Sequence, residues 1–172
     1  MFEESTRVPF IVSVPWLKNQ HGKATRHITE LIDLYPTLAE LSGLQAPDGL
    51  QGQSMLPLLK DPASSDWKKD VAFTISRSHG ESIRTHDWRF IQWNSGLDGM
   101  ELYDLTKDPG EFTNLAENPN YAAQLNKLKA QLEAKRREAG YTAEKFPPGR
   151  NKPKNRKKQT EAGNGIQSKK SH

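Results

Sequence analysis

The stretch ELYDLTKDPGEFTNLA, residues 101–116, decides how the C-terminal half of this chain folds. An apolar segment over residues 100–103 comes first, and residues 104–110 combine Asp, Pro and Gly, which are typical of turns. The stretch then leads, through Asn-Leu-Ala, toward a segment with helical spacing. This order predicts a strand, a polar turn and a closing helix.

The residues before this stretch alternate between polar and apolar side chains with a period of two, as half-buried strands do. The connections between them are short, and His86 with Asp87 forms a turn. Trp88, Trp93 and Tyr103 alternate along these segments, which favours core packing over stacking on a sugar. The pattern predicts an antiparallel meander with strands at residues 71–77, 82–85, 88–93 and 100–103.

A closing helix is predicted at residues 119–139. Asn118 is a suitable N-cap, Pro119 suits the first helical position, and Gly140 ends the pattern. The apolar stripe of this helix consists of Leu125, Leu128 and Leu132. We expect its basic side chains to face water: Lys127, Lys129, Lys135, Arg136 and Arg137. A meander followed by an amphipathic helix predicts a small α+β unit.

The first sixty residues have a different character. Residues 8–14 form an almost continuously apolar, β-branched run, which predicts a strand buried on both faces in a parallel sheet. No crossover helix precedes this run, although a parallel strand needs neighbours joined by such helices. Leucines at helical spacing predict a helix with Asp33 as its N-cap and Gly43 as its end. Ser54 can cap a second short helix over residues 55–60.

Five motifs resemble the type I, formylglycine-dependent sulfatases, in the order and at the spacing of that family. The stretch quoted above resembles the family's closing strand, its Asp-Pro-Gly-Glu turn and its Asn-Leu-Ala. The sequence of residues 79–93 most resembles the iduronate-2-sulfatase-like branch of the family. The other four motifs are ESTRVPFIV at 4–12, DLYPTL at 33–38 with LSG at 41–43, GQSMLPLL at 52–59, and SIRTHDWRF at 82–90.

The resemblance implies the C-terminal portion of an α/β sulfatase, whose fold is alkaline-phosphatase-like. Residues 1–60 would be the last part of the large α/β domain. Residues 70–140 would form a small α+β C-terminal subdomain with an antiparallel four-stranded meander and a closing helix. We expect residues 147–172 to be a disordered basic tail, because they are polar and almost devoid of large apolar side chains.

The implied activity is hydrolysis of sulfuric esters on sulfated sugars or glycosaminoglycans. In a full-length relative the resemblance implies a formylglycine nucleophile and a Ca²⁺ ion. This chain has no Cys, Ser13 lacks the Arg that the serine form of the nucleophile motif requires, and no Asp-Asp, Asp-His or Asp-Asn dipeptide is present. We therefore expect no catalytic residue, metal ligand or cofactor in this chain, and no activity from it alone.

Three residues remain as candidates for contact with a sulfated substrate: Arg77, His79 and Arg84. His79 lies on the loop between two predicted strands, in the region that approaches the substrate pocket in the family that the chain resembles. The two guanidinium groups can bind sulfate or carboxylate groups. The alternative for each residue is an exposed loop position or a cross-strand ion pair. Asp33 is better explained as a helix cap than as a catalytic acid.

The charge of the chain is concentrated at its C-terminus. Residues 150–172 contain eight basic residues and one acid, so they carry +7, which leaves −3 for the rest of a chain whose total is +4. The tail could bind polyanions such as sulfated glycan or nucleic acid, which is the alternative function. It could also be a solvated terminus that only aids solubility.

The remaining features concern location and partners. No apolar run approaches the roughly 18 residues that a membrane-spanning helix requires. The first residues contain acids where a signal peptide would have a basic region. The family resemblance implies a periplasmic, secreted or lysosomal location, and a sulfated carbohydrate as the partner if the catalytic half is present.

Overall fold

The structure is a computed structural model that describes residues 1–76 and 79–141. The helices are α1 (Glu3–Thr6), α2 (Leu34–Leu41), α3 (Leu56–Lys60) and α4 (Ala122–Glu138). The strands are β1 (Ala72–Ile75), β2 (Gly80–Arg84), β3 (Trp88–Trp93) and β4 (Met100–Asp104). Short 3-10 turns lie at Lys18–Gln20, Leu31–Asp33, Asn94–Gly96 and Pro119–Tyr121.

The four strands form one antiparallel sheet in the order β1-β2-β3-β4, which confirms the predicted meander. Ile83 of β2 lies opposite Phe90 of β3, and Phe90 lies opposite Leu102 of β4. All three side chains are fully buried. This row of cross-strand neighbours is the centre of the core, because pairs that face each other across a sheet are its unit of stabilisation.

Helix α4 covers the face of the sheet that carries this row. Leu125, Leu128 and Leu132 are buried in the same cluster as Ile83 and Phe90, as the apolar stripe predicts. Each leucine contributes about 1.5–3 kcal/mol through the apolar surface that it removes from water. The sheet and α4 therefore form a unit with its own core.

The ends of the closing helix follow the sequence signals. The Asn118 side chain accepts a hydrogen bond from the backbone N–H of Asn120 at 3.0 Å, and Pro119 begins the first turn. Gly140 has a φ of 60°, which only glycine adopts without strain, and Tyr141 N–H donates to the carbonyl of Arg136 at 3.0 Å. The predicted cap and end of this helix are confirmed.

One basic residue of α4 does not face water as expected. The Arg136 guanidinium forms an ion pair with Glu81 of β2 (Nε to Oε1, 3.2 Å) and lies over the ring of Tyr141. Glu81 is buried and also accepts a hydrogen bond from the amide of Gln92. A buried carboxylate requires such a partner, and its position could not be deduced from the helical pattern alone.

A small second core lies in the part of the chain between the N-terminal segment, residues 1–14, and the sheet. Met55, Leu58 and Trp67 are buried together, and the Trp67 indole N–H donates to the carbonyl of Ile28 at 2.9 Å. Thr37 of α2 accepts the backbone N–H of Met55 at 2.8 Å, which ties α2 to α3. The predicted helices in this region are therefore present.

Two ends of these helices can be compared with the predictions. Helix α2 ends at Leu41, and Gly43 follows its C-cap Ser42 with a φ of 69°, while the Leu44 N–H donates to the carbonyl of Ala39 at 2.9 Å. The predicted end is confirmed. Ser54 Oγ accepts the N–H of Leu56, the first residue of α3, at 3.2 Å, but Met55 and not Ser54 occupies the N-cap position.

Asp33 departs from the predicted role. It occupies the N-cap position of α2, but its carboxylate forms no cap hydrogen bond to that helix. The two oxygens bind the Lys69 ammonium at 2.6 and 2.8 Å, and they accept the backbone N–H groups of Glu30 and Gln53. The partner that redirects this carboxylate lies 36 residues away, which local sequence patterns do not detect.

The predicted strand at residues 8–14 is wrong, because the structure has no strand there. Ile11 is 91% exposed, whereas Val14 is buried at the end of the run. A β-branched run becomes a strand only when another strand accepts its backbone hydrogen bonds, and β1 to β4 pair only with one another. The apolar run therefore lies on the surface.

Among the described residues, no helix has the length and apolar character that crossing a bilayer requires.

Candidate functional site

Two of the three predicted substrate residues lie at the ends of β2. The third, Arg77, lies outside the described residues. His79 directly precedes β2, and Arg84 is its last residue. At roughly 3.4 Å per residue the Cα atoms of His79 and Arg84 are about 17 Å apart. The structure does not bring these two residues together.

His79 lies in a constrained turn. Its φ is 62°, in the left-handed region that non-glycine residues seldom adopt, and its carbonyl accepts the N–H of Asn94 at 2.8 Å. The backbone N–H of Ser76 donates to the carbonyl of Gly80 at 2.8 Å, which closes the turn. The half-buried imidazole is therefore carried by a residue whose carbonyl is held by Asn94, directly after β3.

Arg84 is engaged by a carboxylate from the N-terminal segment. Its Nε donates to Glu3 Oε1 at 3.0 Å, and 24% of the Arg84 side chain is exposed. Arg84 lies directly opposite Arg89 in the pairing of β2 with β3. Two like charges at such positions repel each other, and the Glu3 carboxylate offsets that repulsion by contacting both guanidinium groups.

Arg89 is the most deeply buried cation among the described residues, with 2% of its side chain exposed. Its Nε pairs with Glu111, its Nη2 pairs with Glu3, and its Nη1 donates to the Met1 carbonyl at 2.9 Å and to Ser82 Oγ at 3.3 Å. A buried guanidinium is stable only when charged and polar partners surround it, as here. Arg89 thereby connects the N-terminal segment, strand β2 and the Asp-Pro-Gly-Glu turn at residues 108–111.

Glu111 contributes to the same cluster from a strained position. Its φ is 56°, which costs about 1–2 kcal/mol for a residue other than glycine. Its carboxylate pairs with Arg89 and accepts the backbone N–H of Glu3 at 2.7 Å. The Asp-Pro-Gly-Glu turn therefore aims Glu111 at the sheet, and its buried ion pair supports the unusual backbone.

The protonation of Glu3 reflects these partners. Burial favours the neutral acid, but the hydrogen bonds and charges of Arg84 and Arg89 outweigh that effect and hold the pKa of Glu3 below its ordinary value. Glu3 is therefore a carboxylate at neutral pH. The cluster of Glu3, Arg84, Arg89 and Glu111, called the arginine cluster below, holds two positive and two negative groups.

The arginine cluster borders a groove of the described structure. This groove has a volume of about 1170 Å³ and runs between the N-terminal segment and the edge strand β1. Glu3, Arg84 and Arg89 contribute polar groups to its wall, and residues 8–12 contribute apolar ones. The wall also carries other charged residues, namely Arg7, Lys23, Arg26 and Glu30, so the groove presents both apolar and charged surface.

A separate network fixes the sheet beside the aromatic residues. The Trp93 indole N–H and the Tyr103 hydroxyl donate to the two oxygens of Glu101, each at 2.8 Å. Burial and the hydrogen bond to Glu101 raise the pKa of Tyr103. The Phe2 ring packs edge-on against Tyr103 with the ring centroids 6.0 Å apart. These contacts occupy the aromatic side chains, as the sequence pattern predicts.

The sequence analysis missed the roles of Glu3, Arg89, Glu111 and Lys69. Each pairs with a residue that is distant in the chain, so no periodic pattern reports the contact. Arg89 lies between Trp88 and Phe90, so a period of two places its side chain on the face opposite to theirs, where the sequence predicts exposure. That face is buried because the N-terminal residues Met1 and Glu3 contact the Arg89 guanidinium, which no local pattern indicates.

The part of the chain that the structure describes contains no group of three or more His, Cys, Asp or Glu side chains that could hold a metal ion. The described residues therefore do not fit the Ca²⁺ site that the family resemblance implies. No catalytic step is assigned to them.

The sheet, its closing helix and the arginine cluster can now be compared with known proteins. Residues 1–138 match the family model described as N-sulphoglucosamine sulphohydrolase, C-terminal. The chain belongs to this sulfatase family. The predicted C-terminal portion of a sulfatase is thereby confirmed.

Two relatives are bacterial sulfatases of Bacteroides thetaiotaomicron. The Delta 4,5-hexuronate-2-O-sulfatase is 33% identical over 142 residues, which cover 77% of this chain and 29% of that protein. The N-acetylglucosamine-6-O-sulfatase is 29% identical over 144 residues, which cover 77% of this chain and 25% of that protein. The hexuronate-2-O-sulfatase is close to the iduronate-2-sulfatase-like branch. This sulfatase chain spans less than a third of the length of either relative.

Solved structures share the fold. A 2-O GAG sulfatase superposes with a TM-score of 0.58 at 28% identity, over 67% of this chain and 26% of the other. A sulfatase in complex with its substrate D-glucosamine-2-N,6-O-disulfate superposes with a TM-score of 0.57 at 27% identity, over 63% and 24%. The alkaline-phosphatase-like sulfatase fold, with its four-stranded sheet and closing helix, is confirmed for this chain.

Proposed function

We propose that this chain supplies the C-terminal region of a sulfuric ester hydrolase that acts on sulfated sugars. The observation that carries the proposal is the match to the sulfatase family over residues 1–138. The two relatives described above are a hexuronate-2-O-sulfatase and an N-acetylglucosamine-6-O-sulfatase, and one structural neighbour holds a disulfated glucosamine. A sulfated sugar or glycosaminoglycan is therefore the proposed substrate class.

Residues 1–60 belong, in this proposal, to the last part of a large α/β domain. The support is their exposed apolar surface, which includes Ile11 on the N-terminal segment and Leu38 on α2. The run at residues 8–14 has the composition of a strand with neighbours on both sides. In an assembled sulfatase the preceding α/β region would cover this surface. Residues 70–140 form the C-terminal subdomain, which already has its own core.

The chain alone is proposed to be inactive. It contains no Cys to supply formylglycine, and the described residues hold no metal centre. The nucleophile and the Ca²⁺ ion that the family resemblance implies must then come from another part of the sulfatase. This chain contributes structure and, in the proposal, contacts with the sugar.

His79, Arg84 and Arg77 are the proposed substrate contacts. The fixed turn at His79 and the partly exposed guanidinium of Arg84 on the groove wall support the proposal. Because His79 and Arg84 lie at opposite ends of β2, they would contact different parts of an extended sulfated sugar. Arg77 enters the proposal on sequence alone.

A chimera tests the proposed function. Residues 1–141 replace the matched region of the Delta 4,5-hexuronate-2-O-sulfatase, and sulfate release from its substrate is measured. We expect the chimera to hydrolyse the substrate and this chain alone to release no sulfate. A chimera that is folded and monodisperse but inactive would contradict the proposal, as would hydrolysis by this chain alone.

Variants of the same chimera test the proposed contacts. His79→Ala and Arg84→Ala should lower kcat/KM by about tenfold, since a hydrogen bond to a charged group contributes about 1.5–3 kcal/mol. His86→Ala is the matched control, because His86 lies exposed in the β2–β3 turn, where it contacts Asp87. Equal rates for the His79 and His86 variants would remove His79 from the site.

The basic tail supports a second candidate function, which is non-catalytic binding of polyanions. The supporting observation is the net charge of +7 on residues 150–172. Deletion of these residues should abolish binding to heparin, and the affinity of the full chain should fall steeply with added salt. If the deletion leaves heparin binding unchanged, the tail has no such role. A preference for nucleic acid over heparin would identify the other polyanion.

A further inference from the structure

We propose that Arg84 and Arg89 form a binding site for a sulfate group, which the Glu3 carboxylate of this chain occupies as an internal competitor. The inference rests on the proposed function only for its substrate class, a sulfated sugar. The site itself follows from the arginine cluster. The ligand chemistry is a singly charged sulfate ester or free sulfate.

The two guanidinium groups converge on one point. Arg84 Nε reaches Glu3 Oε1 at 3.0 Å, and Arg89 Nη2 contacts the same oxygen. Arg84 and Arg89 are direct neighbours across β2 and β3, so the sheet fixes their separation. Two guanidinium groups that share one anionic oxygen can accept any oxyanion of similar size, because planar guanidinium groups suit carboxylate and sulfate oxygens alike.

Of the two guanidinium groups, only that of Arg84 is accessible enough to exchange Glu3 for another anion. Arg89 is almost fully buried and keeps Glu111, Ser82 and the Met1 carbonyl as further partners. Arg84 is partly exposed, and Glu3, with 15% of its side chain exposed, lies at the wall of the groove. An anion that approaches this chain from solvent would therefore meet the partly exposed Arg84 first and displace Glu3.

Glu3 can leave without opening the core. Helix α1 has four residues and none of them is buried. The Glu3 backbone is held separately, because its N–H donates to Glu111 at 2.7 Å. Rotation of the Glu3 side chain would therefore vacate the oxyanion position without exposing the core, although it removes a contact that holds residues 1–7.

The charges of the arginine cluster match this exchange. Two guanidinium groups face the carboxylates of Glu3 and Glu111, and the exposed Arg7 guanidinium lies 3.6 Å from the other oxygen of Glu3. The surroundings of Glu3 are therefore positive enough for a sulfate ester, which carries one negative charge, and for free sulfate, which carries two. The next carboxylate on the groove wall, Glu30, is bound to Lys69 and to the N–H of Phe73. It is therefore not available to repel the ligand.

The tether makes Glu3 an effective competitor. A group attached by a short segment acts at an effective concentration of the order of millimolar. A sulfated ligand must exceed that concentration before it displaces Glu3, so the native chain should bind sulfate weakly. Replacement of Glu3 by an uncharged isostere should raise the affinity about tenfold, since one charge-assisted contact has that value.

The test compares Glu3→Gln with Glu4→Gln in the full chain. Both variants lose one negative charge and both keep the basic tail, and Glu4 is exposed. Titration calorimetry with inorganic sulfate and with D-glucosamine-2-N,6-O-disulfate measures the affinity. We expect Glu3→Gln to bind both probes about tenfold more tightly than Glu4→Gln. Adding Arg84→Gln to Glu3→Gln should abolish that gain.

Equal affinities for the Glu3 and Glu4 variants would overturn the inference, as would a gain that persists without Arg84. A second measurement uses the native chain, so it does not depend on the folding of a variant. Saturation with sulfate should shift the carboxyl carbon resonance of Glu3 and leave that of Glu4 unchanged. No shift at Glu3 in saturating sulfate contradicts the displacement.

The outcome is separable from the proposed function. An active chimera together with no gain from Glu3→Gln would leave the sulfatase assignment in place and remove the internal competitor. A gain for inorganic sulfate together with an inactive chimera would keep the anion site and remove the sulfatase proposal. Binding of the sugar but not of free sulfate would contradict a site that recognises the sulfate group itself.

Discussion

The two halves of this chain use their apolar residues differently. Thirteen large apolar side chains are exposed within residues 1–60, whereas the described part of residues 70–141 exposes only Ile75, Leu97 and Phe112. The later half packs a sheet against α4 around a row of fully buried side chains. The earlier half has the small cluster of Met55, Leu58 and Trp67 and leaves α2 largely uncovered.

The difference separates local folding from assembly. A meander and a helix that follow one another in sequence can bury their apolar faces against each other, because all the partners lie within 70 residues. The run at residues 8–14 requires strands from elsewhere and has none among the described residues. The halves are linked by polar contacts, namely the arginine cluster and the Lys69 contacts with Asp33 and Glu30, and by the ring contact of Phe2 with Tyr103.

The largest expected effect contrasts two leucines. Leu128→Ala removes a fully buried side chain and should lower the free energy of unfolding by about 3–4 kcal/mol. Leu38→Ala removes a side chain that is 53% exposed and should lower it by less than about 1 kcal/mol. Urea unfolding followed by tryptophan fluorescence measures both. Equal losses would show that α2 is as well packed as α4.

The second prediction breaks a link between the halves. Lys69→Ala leaves the fully buried carboxylate of Asp33 without its cation, which should cost about 3 kcal/mol. Hydrogen exchange should increase in residues 28–60, while the amides of β2 and β3 remain protected. Lys68→Ala, at the exposed neighbouring position, is the control. Uniform loss of protection across the chain would mean that the two halves unfold as one unit.

The third prediction concerns pH and residues 1–7. Because the pKa of Glu3 in the folded chain lies below its ordinary value of 4.5, its contribution is fully present above that value. It is lost as the pH falls through the lowered folded-state pKa, when the Glu3 carboxylate becomes protonated. Amide exchange of residues 1–7, corrected for the intrinsic pH dependence, should therefore accelerate only at acidic pH.

Two variants sharpen this pH prediction. Glu3→Gln should make the amides of residues 1–7 exchange rapidly at neutral pH and weaken the pH dependence. Glu4→Gln should behave as the native chain. Equally slow exchange of residues 1–7 in Glu3→Gln and in the native chain at neutral pH would show that the Glu3 contacts with Arg84 and Arg89 do not hold this segment.

The smallest expected effect on stability concerns the cap of α4, in the half formed by residues 70–141. Asn118→Ala removes the side chain that accepts the Asn120 N–H and should destabilise the chain by about 1 kcal/mol. Asn120→Ala leaves that contact intact, since only the backbone of Asn120 takes part. Thermal unfolding compares the two variants. A larger loss for the Asn120 variant would assign the cap to the wrong residue.

The sequence was sufficient where structure depends on neighbours in the chain. The alternation of polar and apolar residues predicted the strands at residues 82–85, 88–93 and 100–103. Residue types that are typical of helix ends predicted the cap at Asn118 and the end at Gly140. The meander needed no distant information, because consecutive strands pair with one another.

The rest of the structure depends on contacts that local patterns do not encode. Asp is a residue type that commonly caps helices, but the carboxylate of Asp33 binds Lys69, which lies 36 residues away in the chain. Residues 8–14 had the composition of a strand but no strand to pair with. The sequence identified Arg84 as a candidate but not its neighbour Arg89 or Glu3, which contacts both. An ion pair between residues that are distant in the chain produces no repeating pattern in the sequence.

The proposal that residues 1–60 belong to a larger α/β domain is tested most directly by hydrogen exchange at residues 8–14. Exchange is measured in this chain alone and in the chimera that carries the preceding region of the Delta 4,5-hexuronate-2-O-sulfatase. The amides of residues 8–14 should exchange rapidly in the chain alone and become protected in the chimera, while β2 and β3 remain protected in both. Rapid exchange of residues 8–14 in a folded chimera would contradict the proposal.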